Sequence, residues 1–181
     1  MRAAACALAL TLVLSACAEG GKKPDRPSDW EVKNERLLKE EDNAKVPEPP
    51  PYPGSGNLVK FFVTAASDNV WFVDRTSVQV SDGIVRYVVV ARSASGVDNV
   101  SFEALNCRER EFRTYARGSS DGKWISRPTA WRKIEPRVHR AQYTLHWEYL
   151  CPNRIAVSTA AEGVMALQKG GHPWSKLPET W

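Results

Sequence analysis

Four cysteines, three histidines and a cluster of arginines are the side chains of this 181-residue chain with chemistry to offer. Cysteine comes first, because its thiolate is a ready nucleophile and metal ligand. Cys6 lies inside an apolar run from Ala3 to Leu14, and Cys17 closes the tetrapeptide Leu14-Ser15-Ala16-Cys17. Cys107 and Cys151 are left over, about 44 residues apart. The chain holds no Cys-x-x-Cys, so thioredoxin-like exchange is not written into it. In an oxidising compartment the leftover pair reads as a disulfide between Cys107 and Cys151, with two separate buried thiols as the alternative. Such a bridge would be worth roughly 4 kcal/mol in the chain-entropy account.

The histidines are His139, His146 and His172. On a helix His139 and His146 stand two turns apart, roughly 10 Å. One metal with bonds of about 2 Å cannot take both. There is no His-Glu-x-x-His and no Gly-x-Ser-x-Gly. All three histidines are expected at the surface, and no metal site is expected. Asp74 and Glu103 sit in or beside apolar segments, where a buried pair could do acid–base work. The commoner roles are satisfying backbone donors at a bend or pairing with Arg86 or Arg113. No catalytic residue and no cofactor emerges from these types and spacings.

Arginine is the one enrichment. Arg108, Arg110, Arg113, Arg117, Arg127, Arg132, Arg137 and Arg140 fall between the two leftover cysteines, with Tyr115, Trp124 and Trp131 among them. Basic residues interleaved with aromatics can bind nucleic acid or sugar. No nucleic-acid module can be read here, so nucleic acid is not an expected partner. Arg108, Arg110, Arg113, Arg117 and Arg132 remain a candidate patch for a glycan or other anionic ligand. Stacking of arginine on aromatic rings inside the domain is the competing reading.

The elements that hold these residues begin with an address. Arg2, the apolar run and the small residues before Cys17 have the layout of a secretory signal. The run is roughly a dozen residues, too short to span a bilayer that needs ~20. Leu-Ser-Ala-Cys resembles the lipobox of bacterial lipoproteins. That resemblance implies loss of residues 1–16, acylation of Cys17 and a membrane partner reached through the lipid. Ala18 stands where an Asp would favour inner-membrane retention, which implies an outer-membrane lipoprotein. Another envelope or extracellular protein is then the expected partner. Residues 18–53 carry 7 Lys/Arg against 9 Asp/Glu (net −2), and residues 54–181 carry 17 against 12 (net +5). The second part is therefore mildly basic, which favours anionic partners.

Four regions are expected: signal 1–16, lipidated N-terminus and Pro-rich tether 17–56, a globular domain 57–170 and an irregular tail 171–181. Ser28-Asp29-Trp30-Glu31 looks like a capping box opening a short helix through Leu38, with disorder and transient helix as the alternative. Val46 to Pro53 is proline-rich and is expected to be an extended spacer or strap. Strands are expected over Leu58–Ala65, Val70–Val73, Val78–Val80, Ile84–Ala91, Asn99–Leu105, Glu111–Arg117 and Lys123–Ile125. Asp82-Gly83 is a hairpin signal. Ile84–Ala91 is apolar on both faces and should be central. In Glu111–Arg117, Phe112, Thr114 and Ala116 should share one face. Val138–Leu150 reads as a helix with Val138, Ala141, Leu145 and Tyr149 inward and His139, Gln142 and His146 in water. A second helix runs from about Thr159 to Lys169, capped by Thr159-x-x-Glu162 and stopped by Gly170-Gly171. Strands followed by helices predict an α+β fold. The expected form is a single antiparallel meander of about five or six strands, one or two C-terminal helices on one face, and a disulfide staple.

Several stretches form one constellation: Pro51-Tyr52-Pro53, Phe72-Val73-Asp74 with Ser77-Val78, Asp82-Gly83-x-Val85-Arg86-Tyr87, Asn99-Val100-Ser101-Phe102-Glu103, Asn106-Cys107, Tyr115-Ala116-x-Gly118, Trp124, Trp131 and Tyr149-Leu150-Cys151-Pro152. Together they resemble the cryptic neisserial protein-like family of proteobacterial lipoproteins, over roughly Trp30 to Gly170. The resemblance implies no catalytic residues. The layout is more distantly similar to the surface-adhesin protein E family, small outer-membrane lipoproteins with an antiparallel sheet, a packed helix and one disulfide. That likeness implies an adhesin-like module binding host proteins, and carries no contact residue onto this chain.

Overall fold

Nine consecutive residues, Ile84–Arg92, form β4, and they are buried almost without interruption. A strand apolar on both faces needs cover on both faces, so it sits inside the sheet. The computed structural model describes residues 46–175, all within one compact unit of the chain, 41–181. Cys17, the signal and the Ser28–Leu38 helix lie outside the described residues.

The other strands are β1 (Leu58–Phe61), β2 (Val70–Asp74), β3 (Gln79–Ser81), β5 (Asp98–Asn106), β6 (Glu111–Gly118), β7 (Trp124–Ser126) and β8 (Arg132–Lys133). All pair antiparallel in the order β1-β2-β4-β5-β6-β7. β3 shares the β2 edge of β4, through Ile84 to Arg86, and β8 shares the β7 edge of β6. The eight strands thus make a meander six positions wide. Two-residue β8, between Pro128 and Pro136, offers no alternation by which a sequence could announce it. β1 stops at Phe61, four residues short of the expected end. The Asp82-Gly83 hairpin forms as expected, with φ of 53° and 75°.

One bulge governs the faces. β5 and β6 lose register between Phe102 and Glu103, so Phe102 pairs Ala116 while Glu103 pairs Thr114. Tyr115 is the extra residue. A one-residue slip moves later side chains to the opposite face. Phe112 therefore packs in one core cluster and Ala116 in the other, against the uninterrupted alternation expected.

Helices cover one face. α1 (Arg140–Thr144) continues as a π-helical segment, Leu145–Leu150, and α2 (Ala160–Gln168) follows. Ala141, Leu145 and Tyr149 face inward against Val85, Tyr87 and Leu105. Val138 precedes the helix and is 68% exposed, so it is no part of that stripe. At the second helix Thr159 Oγ1 accepts the Glu162 amide (3.1 Å), and Glu162 Oε2 accepts the Ser158 amide (2.6 Å). Thr159 is thus the N-cap as expected, and only the return bond of the capping box falls one residue early, on Ser158 instead of Thr159. Gly170, at φ 77°, ends the helix.

The second face is covered by the proline-rich segment. Val46 and Tyr52 pack with Trp124 and Trp131 over Val88, Val90, Phe102 and Ala104. Trp124 Nε1 donates to the Pro50 carbonyl (2.8 Å). Proline has no amide to satisfy, so such a segment can lie on a sheet face without leaving donors unpaired. Cys107, just after β5, is bonded to Cys151, just after the π segment. The bridge ties the sheet to its helical cover.

Candidate functional site

Buried polar side chains divide into those that hold the fold and those that face open space. Asp74 does the first: its Oδ1 accepts from the Thr76 amide (2.9 Å) and hydroxyl (2.7 Å) at the turn after β2. Glu103 is 5% exposed and lies under α1. Its carboxylate accepts from Ser101 Oγ (2.8 Å), Gln142 Nε2 (2.9 Å) and the Tyr87 hydroxyl (3.4 Å). These neutral donors, rather than Arg86 or Arg113, hold it. Burial pushes its pKa up, and the three hydrogen bonds oppose that shift. Burial together with Glu103 pushes the Tyr87 phenol well above its ordinary range.

The histidines correct the sequence reading. His146 is fully buried and His172 is 7% exposed. The helix widens at Leu145, and a π turn rotates the residues that follow it out of α register. His146 Nε2 meets the Cys107 carbonyl (3.0 Å), and His172 Nε2 meets Glu162 Oε1 (3.0 Å). Among the described residues no group of three or more His, Cys, Asp or Glu could hold a metal ion.

The five arginines of the candidate patch do not share one surface. Arg113 is 4% exposed, with its guanidinium over the rings of Tyr115 (4.9 Å) and Trp131 (5.6 Å) on the proline-covered face. Arg117, beyond the bulge, pairs with Ser101 on the helical face and acts on Glu103. Arg132 stacks on Phe112 (4.7 Å), while Arg108 and Arg110 stand exposed in the β5–β6 turn. The bulge is what divides Arg113 from Arg117, and a period-2 reading could not anticipate it.

Two other arginines line an open groove on the helical face. Between the bend at Val63–Thr64 and α1 runs a groove of about 430 Å³, lined by Val63, Thr64, Pro136, Arg137, Arg140, Tyr143, Thr144 and Glu148. It adjoins a second hollow of about 370 Å³ that adds Trp71, Val138 and Gln142. Val138, in that second hollow, is 68% exposed. Among the described residues no carboxylate lies within ion-pair reach of Arg137 or Arg140. Burial raises the pKa of Glu148. The bend is braced by Ser67, whose Oγ donates to the Asn69 carbonyl (3.0 Å) and accepts from Trp71 Nε1 (3.0 Å). Gln142 joins groove and core, since it lines the hollow and donates to Glu103. Exposed apolar side chains beside unpaired arginines can dock an acidic, partly apolar polypeptide segment. The sequence reading puts Gln142 in solvent and Val138 on the inward stripe of the helix; Gln142 instead reaches Glu103, and Val138 stands exposed in the hollow. Nothing in their spacing announces a groove that only the β1–β2 bend creates.

No helix among the described residues is long and apolar enough to cross a membrane. No curated protein and no solved structure matches the chain. The family model of the CNP1-like family matches residues 38–168, well over half of the chain and all of the sheet and both helices. The disulfide, the antiparallel meander and the helical cover lie within that span, and the chain belongs to the CNP1-like family.

Proposed function

We propose that this protein is a lipid-anchored component of the bacterial outer membrane, tethered by acyl chains on Cys17. Its domain is a non-catalytic module that binds a segment of another envelope protein. The Leu-Ser-Ala-Cys tetrapeptide supports the anchor. The groove beside α1 carries the binding reading, because Arg137 and Arg140 line it and exposed Val138 lines the adjoining hollow together with Arg140. Arginine and apolar anchors are what protein interfaces concentrate, and the positive rim selects an acidic segment.

A photo-crosslinking side chain at Val138 in living cells should trap one defined partner, and Arg140→Glu should abolish the product. The same product from a crosslinker at Arg132, away from the groove, would refute the placement. Fatty-acid labelling tests the anchor: Cys17→Ser should lose both label and membrane fractionation. Unchanged labelling would remove it.

A further inference from the structure

We propose that the hollow on the other flank of α1 binds a sugar bearing an acidic group, a uronate or a sugar phosphate. It is lined by Arg110, Lys133, Ile134, Pro136, Tyr143, His146 and Trp147 and holds about 390 Å³. That volume lies within the roughly 300–1,000 Å³ of small-molecule sites. This reading goes beyond the protein-docking groove and does not depend on it.

Three features of the hollow specify the ligand. The first is His146. A carbonyl can only accept, so Nε2 carries the proton that it gives to Cys107 O, and Nδ1 of the neutral ring is an acceptor. Nδ1 is buried and has no partner. A buried acceptor without a donor is costly, and a ligand hydroxyl would satisfy it. Burial lowers the pKa of the ring below its ordinary value; the hydrogen bond to the Cys107 carbonyl opposes that shift, and the charges of Arg110 and Arg154 add to it.

The second feature is Arg110. Lys133 already lies 3.0 Å from Glu111 and 4.0 Å from Glu109. Arg154 is committed to the Arg108 carbonyl (2.6 Å). Arg110 has no carboxylate in ion-pair reach among the described residues. Its backbone is left-handed, φ 55°, a conformation that glycine or asparagine adopts more readily. The third feature is aromatic. The Trp147 ring stands edge-on to His146 (5.3 Å between centroids), offering an apolar surface to a sugar ring. A hydroxyl donor, an acidic group and an apolar ring face together describe an acidic sugar.

The test is NMR of the histidine ring nitrogens in the full chain in detergent micelles. The probes are glucuronate, glucose 6-phosphate, glucose and inorganic phosphate. One or both acidic sugars should shift His146 Nδ1 saturably at roughly millimolar concentration. Glucose and phosphate should each bind at least about 10-fold more weakly, since each lacks one of the paired contacts. Whichever acidic sugar binds more tightly names the source, a uronate or a phosphorylated sugar. Arg110→Gly should cut binding about 10-fold while leaving the melting temperature unchanged or higher, because glycine suits that φ. An Nδ1 unmoved by both acidic sugars up to about 50 mM would overturn the proposal. So would phosphate alone binding as tightly, or an Arg110→Gly protein that binds as the parent does.

Discussion

Breaking the Cys107–Cys151 bridge should destabilise the domain by about 4 kcal/mol, chiefly through the unfolded chain. The bridge spans 44 residues. Opening a loop of that length returns about 13 cal/mol/K of entropy to the denatured ensemble, which is about 4 kcal/mol at 25 °C. Small domains hold only about 5–15 kcal/mol in total, so the loss is a large share. With roughly 2.1 cal/mol/K of unfolding entropy per residue over the 130 residues of 46–175, the melting temperature should fall by about 15 °C. The double variant Cys107→Ala/Cys151→Ala suits the test, because both sites are buried and alanine strands no polar group. Urea unfolding followed by tryptophan fluorescence separates the causes. A freed denatured chain is more expanded and exposes more surface, so the urea slope should steepen as the midpoint falls. Reduced wild-type protein should match the variant. A loss under about 1 kcal/mol with an unchanged slope would refute the reasoning, since the chain-entropy effect would then be missing.

Glu103→Gln should be neutral or stabilising at pH 7. Burial raises the folded pKa of Glu103 above its ordinary 4.5, so the folded state holds the proton more tightly than the unfolded chain. The ionisation penalty is absent below that ordinary value and grows as pH rises through the folded one. Urea midpoints should therefore show the wild type losing stability relative to the variant across that window; a pH-independent difference would count against it. Trp124→Phe removes the indole donor to Pro50 and should cost about 1 kcal/mol, with faster proteolysis within 46–53; unchanged cleavage would show that this contact does not hold the strap. Thr159→Ala should cost about 1 kcal/mol by uncapping α2, read as a lower urea midpoint, and an unshifted midpoint would argue that the cap is dispensable.

Much of the architecture was legible because it is written in short windows. Asp82-Gly83 dictates its hairpin through the left-handed φ that both residues tolerate. Thr159 and Glu162 announce a helix start three residues apart, and the double-faced apolar run of Ile84–Ala91 points to a central strand, which forms over Ile84–Arg92. Less of the candidate sites could be read. Arg113 and Arg117 look like neighbours on one face until the bulge at Tyr115 puts them on opposite sides of the sheet. His146 falls on the polar side of an ideal helix and is carried inward by a π turn. Gln142, read as solvated, reaches Glu103 from 39 positions away.

By itself the sequence determined most of the strands, both helical segments to within a few residues, the turn chemistry and the cysteine pairing. Each of these rests on neighbours within a few residues or on a simple count. Tertiary structure alone decided which face each β6 side chain meets, what covers the second face of the sheet and where a groove opens beside α1. Those outcomes depend on contacts among residues tens of positions apart and on the parity that one inserted residue reverses, and no local pattern records either.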